Sequence, residues 1–218
     1  MLTVCCVLRS GGRYNAEWVR KLRDGVARNL TLPHRFVCLS DVDVPCERIA
    51  LVTDWPGWWS KVSLFRYGLF VGPVLYFDLD SVVVGSLDAI AAHPHRFTMA
   101  HEFYRPTMLC STAMAWHGDY SFIYEAFEAE PERHMNIYDH EMPRRSGRIG
   151  DQAYCEDQLI AADAKVDTFR DLFGEHSIAS YKVHECQSAP PPDAAVVAFH
   201  GSPKPHEITT GWVPETWI

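Results

Sequence analysis

The run Val74-Leu75-Tyr76-Phe77 is the most strongly apolar strand signal in the chain, and it closes on two acids, Asp78 and Asp80. An apolar run without polar alternation is buried on both faces, which places it inside a mainly parallel sheet covered by helices. The preceding residues repeat the same pattern. Leu2 to Leu8 reads as a first buried strand, and a helix is expected from Ala16 to Leu30 because Trp18, Leu22, Val26 and Leu30 fall four apart. Pro33 ends that helix. Strands follow at Arg35 to Asp41 and Arg48 to Val52, then a loop and a helix from Ser60 to Phe70 with Ser60 as its N-cap. Strands alternating with helices predict an α/β domain with helices on both faces of the sheet.

The second half is less regular. Strands are expected at residues 97–100 and 111–116, helices at 119–129 and 152–162, and a last strand at 194–199 after Pro190-Pro191-Pro192. Residues 130–150, with Pro131, Pro143 and three arginines, read as a loop. No repeat or boundary divides the chain, so residues 1–218 are read as one domain.

Composition narrows the function classes. A 47% hydrophobic, 22% charged balance suits a globular core. The net charge of −8 argues against a broad nucleic-acid or anionic-membrane surface. Apolar stretches break off within about ten residues, too short for a transmembrane segment. The opening residues lack the basic lead of a signal peptide. Seven cysteines without CxxC spacing read as reduced thiols, which points to a cytoplasmic protein.

Four constellations carry chemistry. Asp78 and Asp80, two apart on extended chain, project to one side and can converge on a cation. Oxygen ligands suit manganese or magnesium, either of which bridges phosphates. His200 follows the final apolar strand and suits a third metal ligand, while Lys204 suits a diphosphate and Gly201 permits close backbone approach. Lys61 stands at the start of the expected helix. It reads equally as a solvated end residue and as part of an anion site. Asp151 and Gln152 open another helix, where Asp151 serves either as N-cap or as a sugar-hydroxyl partner.

In this order the motifs resemble family 8 glycosyltransferases, the glycogenin-like group. Trp59-Ser60-Lys61, then Asp78-Leu79-Asp80, then Asp151-Gln152, then Gly201-Ser202-Pro203-Lys204-Pro205 after His200 span residues 59–205. The resemblance implies a GT-A fold and transfer of sugar, with retention, from a manganese-bound UDP-sugar to a saccharide or other hydroxyl acceptor. It implies that Asp78, Asp80 and His200 hold the metal, and that Asp78 also meets the ribose. Lys204 would hold the diphosphate, Lys61 and Asp151 the donor sugar, with Gln152 near the anomeric carbon and Tyr14 lining the nucleotide pocket. Two departures stand out. His200 and Gly201 are adjacent where the family separates them by two residues, and Asp157-Gln158 offers a second DQ pair.

Two other readings fit part of the pattern. Asp78 and Asp80 also resemble the motif of haloacid-dehalogenase-like phosphohydrolases, with Asp78 as nucleophile and magnesium as cofactor. A non-catalytic carbohydrate-binding module is the alternative without chemistry, using tryptophans as sugar platforms.

Overall fold

The computed structural model describes residues 1–218. The first half follows the hydrophobic pattern. Strand β1 (Leu2–Leu8) leads to helix α1 (Ala16–Asn29), then β2 (His34–Ser40), β3 (Glu47–Ala50) and β4 (Val74–Phe77). Asn15 caps α1 by accepting the Glu17 amide, and the helix buries Trp18, Leu22 and Val26. Strand β1 pairs in parallel with β2 on one side and β4 on the other.

The remaining elements are β5 (Ser81–Val83), α2 (Asp88–Ala92), β6 (Phe97–His101), β7 (Leu109–Trp116), α3 (Ser121–Ala129), α4 (Pro131–Asn136), α5 (Met142–Ser146), α6 (Gly150–Ala161), β8 (Val166–Thr168), α7 (Phe169–Phe173), β9 (Ile178–Ser180), β10 (Val196–Ala198) and α8 (Trp212–Thr216). The main sheet has the order β3-β2-β1-β4-β7-β6-β8. Only β7 runs against its neighbours, so the sheet is mostly parallel as expected. A second sheet, β5-β10-β9, stacks the chain's end beside the residues that follow Asp80.

Alternation along β1 sends Val4, Cys6 and Leu8 to one face, against Trp18, Leu22 and Val26 of α1. Cys5 points the other way, into a core with Trp59, Val62, Phe127 and Tyr154. Helical structure therefore covers both faces, and no helix is long and apolar enough to cross a membrane.

Three local expectations need correction. The helix from Ser60 is instead a tighter 3-10 winding over Gly57–Phe65. Residues 59–65 are all buried, so no solvent face imposes the 3.6 period, and Ser60 is not a cap: its hydroxyl donates to the Gly57 carbonyl at 2.8 Å. Residues 130–150 are not a loop but α4, a π turn over Ile137–Glu141 and α5. Pro131 and Pro143 sit in first turns, where a missing N–H costs nothing. Finally, β5, β8 and β9 are three-residue strands without a readable period.

Candidate functional site

A cavity of 350 Å³ opens at the C-terminal ends of β1 and β4, where parallel sheets place ligands. Its walls include Arg9, Arg13 and Tyr14 after β1, Trp58 and Lys61 from the 3-10 segment, and Asp151 and Gln152 from α6. Tyr76, Asp78 and Ser111 complete the lining.

Lys61 is buried inside the 3-10 segment, which excludes the solvated-end reading. Its ammonium stands 2.9 Å from each of Asp78 Oδ1, an Asp151 oxygen and Ser111 Oγ. Burial alone pulls a lysine pKa down, but Asp151 and then Asp78 overcome it and hold the group charged. Ser111 donates to Asp151 at 2.6 Å, and Tyr76 donates to Asp78 at 2.5 Å. Asp151 does not cap α6: the cap position is Ile149, and Gly150 enters the helix with φ +64°. That turn aims Asp151 inward at Lys61.

Asp80 faces a different pair. Tyr14 donates to Asp80 Oδ2 at 2.8 Å, and the Lys204 ammonium closes on the same oxygen while also donating to the Phe199 carbonyl at 2.7 Å. Burial raises the Asp80 pKa, and the nearby Asp78 charge raises it further, with Lys204 and Tyr14 opposing. The same surroundings push the Tyr14 hydroxyl up, burial first and Asp80 second.

Asp78 on the cavity wall and Asp80 two residues on, which repel one another, are oxygen donors of the kind a hard divalent cation takes. His200 does not join them. Its Nε2 meets Ser180 Oγ at 2.7 Å and its ring stacks on Phe103, so the expected trio of Asp78, Asp80 and His200 is not assembled. Another group, His101, Glu175 and His184, brings ligand atoms within 4.8 Å of one another. There the Ser180 amide already donates to His184 Nδ1 at 2.9 Å, which places the proton of a neutral ring on Nε2 and leaves no lone pair for a metal.

The competing DQ pair separates cleanly from the cavity. Asp157 is held by Arg148 at 2.6 Å and by the Tyr138 hydroxyl at 2.8 Å, whereas Asp151 and Gln152 line the cavity. Gly201 has φ +68° beside Lys182. Arg9, Arg13, Trp58, Tyr76 and Ser111 are site residues that motif reading did not assign. Tyr76 carried a signal, since it lies two residues before Asp78 on the same strand face.

No protein-family model matches this sequence, and no curated protein matches it. Similarity lies in structure. The chain is similar to the glycosyltransferase GlyE of Streptococcus pneumoniae TIGR4, with TM-score 0.59 and 10% identity over 99% of this chain. It spans 58% of the length of GlyE. It is similar to an active-site mutant of LgtC, with TM-score 0.60 and 12% identity, covering 99% of this chain and 93% of that one. The galactosyltransferase LgtC in complex with donor and acceptor sugar analogues gives TM-score 0.53 and 10% identity, over 93% and 88% of the two chains. The fold is therefore the α/β fold of the GT-A glycosyltransferases.

Proposed function

We propose that this chain is a metal-dependent glycosyltransferase that moves a sugar from a UDP-sugar to a saccharide or other hydroxyl acceptor, with retention. The observation that carries the reading is the buried Lys61 ammonium shared by Asp78 and Asp151 at the wall of the cavity. A paired charge network withdrawn from water at the carboxyl edge of a sheet, opening on a cavity, is where a binding site is expected.

Asp78 and Asp80 are the residues that would hold Mn²⁺ or Mg²⁺, which supplies charge neutralisation for a leaving diphosphate. Lys204 adds a second positive charge beside Asp80, and Gly201 lets backbone approach the phosphates. Fixed cations aimed at developing negative charge are the main source of rate in such a transfer. Lys61 and Asp151 position the hydroxyls of the donor sugar, Gln152 stands next to them at the anomeric carbon, and Tyr14 forms the nucleotide-side wall. Asp151 already accepts from the Lys61 ammonium and the Ser111 hydroxyl. Retention is carried by the family 8 resemblance of the ordered motifs.

The phosphohydrolase reading finds no support in this fold. A simple carbohydrate-binding module has no use for two buried ion pairs, Lys61 with Asp151 and Lys204 with Asp80. The test is calorimetric titration with UDP and other nucleoside diphosphates, with and without manganese. Binding that requires manganese and disappears in Asp80→Asn is expected; absence of metal-dependent binding by every nucleotide sinks the proposal.

A further inference from the structure

We propose that Lys182 is a second phosphate-binding cation beside Lys204, which meets the donor diphosphate over the Gly201 backbone. The inference rests on the glycosyltransferase reading and names a residue that no motif supplies.

The chain has five lysines, and four are committed. Lys21 donates to the Trp217 carbonyl, Lys61 holds Asp78 and Asp151, Lys165 pairs with Asp167, and Lys204 holds Asp80. Lys182, half-buried, has neither an ion-pair partner nor a hydrogen bond. This is unexpected in a chain of net charge −8, where acids outnumber lysines and arginines together. Glu102, an acid that acts on the nearby His200, is itself taken by Arg105 at 3.1 Å.

Position gives the free charge a use. Strands β9 and β10 run in parallel with Ser180 beside Ala198, so residues 181–184 leave the sheet next to residues 199–204. The Lys182 ammonium comes to rest over Gly201, only 3.0 Å from where a side-chain carbon would stand. The charges of Lys182 and Lys204 both act on His200, the residue before Gly201. Lys182 is therefore the ammonium that stands over the exposed Gly201 backbone, while the Lys204 ammonium, three residues on in the chain, is buried against Asp80 and the Phe199 carbonyl. A diphosphate carries charge on both phosphoryl groups, and an uncommitted ammonium over glycine backbone can take the charge that Lys204 alone does not meet.

The test is titration of the intact chain with UDP, inorganic pyrophosphate and uridine in the presence of manganese. Lys182→Met keeps the aliphatic stem and removes the charge; Lys182→Arg keeps the charge; Lys165→Met serves as an exposed control. Losing one charged hydrogen bond predicts roughly tenfold weaker binding of UDP and pyrophosphate by Lys182→Met. Uridine binding should be unchanged, Lys182→Arg should restore most of the affinity, and Lys165→Met should match the parent. Should the methionine variant not fold, Lys182→Gln takes its place. If the parent binds UDP and Lys182→Met binds it equally well, the Lys182 assignment is overturned while the transferase reading stands. If the parent binds neither UDP nor pyrophosphate, the donor reading itself has failed.

Discussion

Lys61 and Asp151 meet at 2.9 Å with both side chains 8% exposed, which makes them the buried ion pair that joins the 3-10 segment to α6. Removing Lys61 strands Asp151 in the core, whereas removing Asp151 leaves Lys61 with Asp78. Lys61→Met should lower stability by about 3–5 kcal/mol and Asp151→Leu by less, read by urea unfolding. The double variant should recover much of that loss, because an apolar pair of similar volume replaces the ions. It should not recover nucleotide-sugar binding, which separates the pair's structural role from its use in the site.

The protein should lose stability on mild acidification through His200. Burial first, and then the Lys182 charge, depress its pKa from 6.5 to about 4. A group with a depressed folded pKa stabilises the fold above its unfolded value, and that contribution fades as pH falls through the window from 6.5 to 4. The imidazole is partly solvated, so the loss is about 1–2 kcal/mol after screening. Denaturant unfolding at intervals between pH 7 and pH 4 should show the decline, and His200→Gln should make it shallower. A decline of the same size in that variant assigns the effect to other histidines.

Gly150 is required twice over. Its φ of +64° suits glycine, and an added side-chain carbon would stand 3.1 Å from the Trp58 indole nitrogen. Gly150→Ala should cost about 1–2 kcal/mol from the backbone alone and also displace Trp58 at the cavity wall. Adding Trp58→Ala should relieve the crowding but not the backbone strain. A double-mutant cycle by urea unfolding should therefore show coupling between the two positions.

All seven cysteines are free, and six of them are buried. Cys46 is half-buried, with a pKa pushed up to about 12 by burial first and Cys38 second. Thiolate is the reactive form, so the native protein at pH 8 should offer a colorimetric thiol reagent at most one slow site. Guanidinium should release all seven. Fewer than seven in denaturant would mean that a disulfide had formed.

Local pattern made the first hundred residues readable. The four-residue spacing of Trp18, Leu22, Val26 and Leu30 reports a helix packed on a sheet, and an unbroken apolar run such as Val74 to Phe77 reports a central strand. Residues 130–150 carry a loop's pattern yet fold as helical turns, because prolines mark helix starts and loops alike and only the following backbone distinguishes them. The short strands β5, β8 and β9 carry too few residues for any period to show.

For the site, the sequence by itself determined that two acids, Asp78 and Asp80, close the most apolar strand. The structure puts them in the turn between β4 and β5, closed by the Ser81 amide on the Asp78 carbonyl, so the two-residue period of extended chain does not hold there and each acid meets its own partners. The sequence also determined the order of the lysine, acid and DQ motifs along the chain. Only the tertiary structure decided which groups meet. It assigned Asp151 rather than Asp157 to the cavity, gave Asp80 to Lys204 and Tyr14, turned His200 toward Ser180, and left Lys182 unpaired above Gly201. The physical reason is that a charge's partner depends on the packing of strands distant in sequence. Here the β5-β10-β9 sheet brings the chain's end against Asp80 through the Phe199 amide and the Asp80 carbonyl, a contact with no local signature.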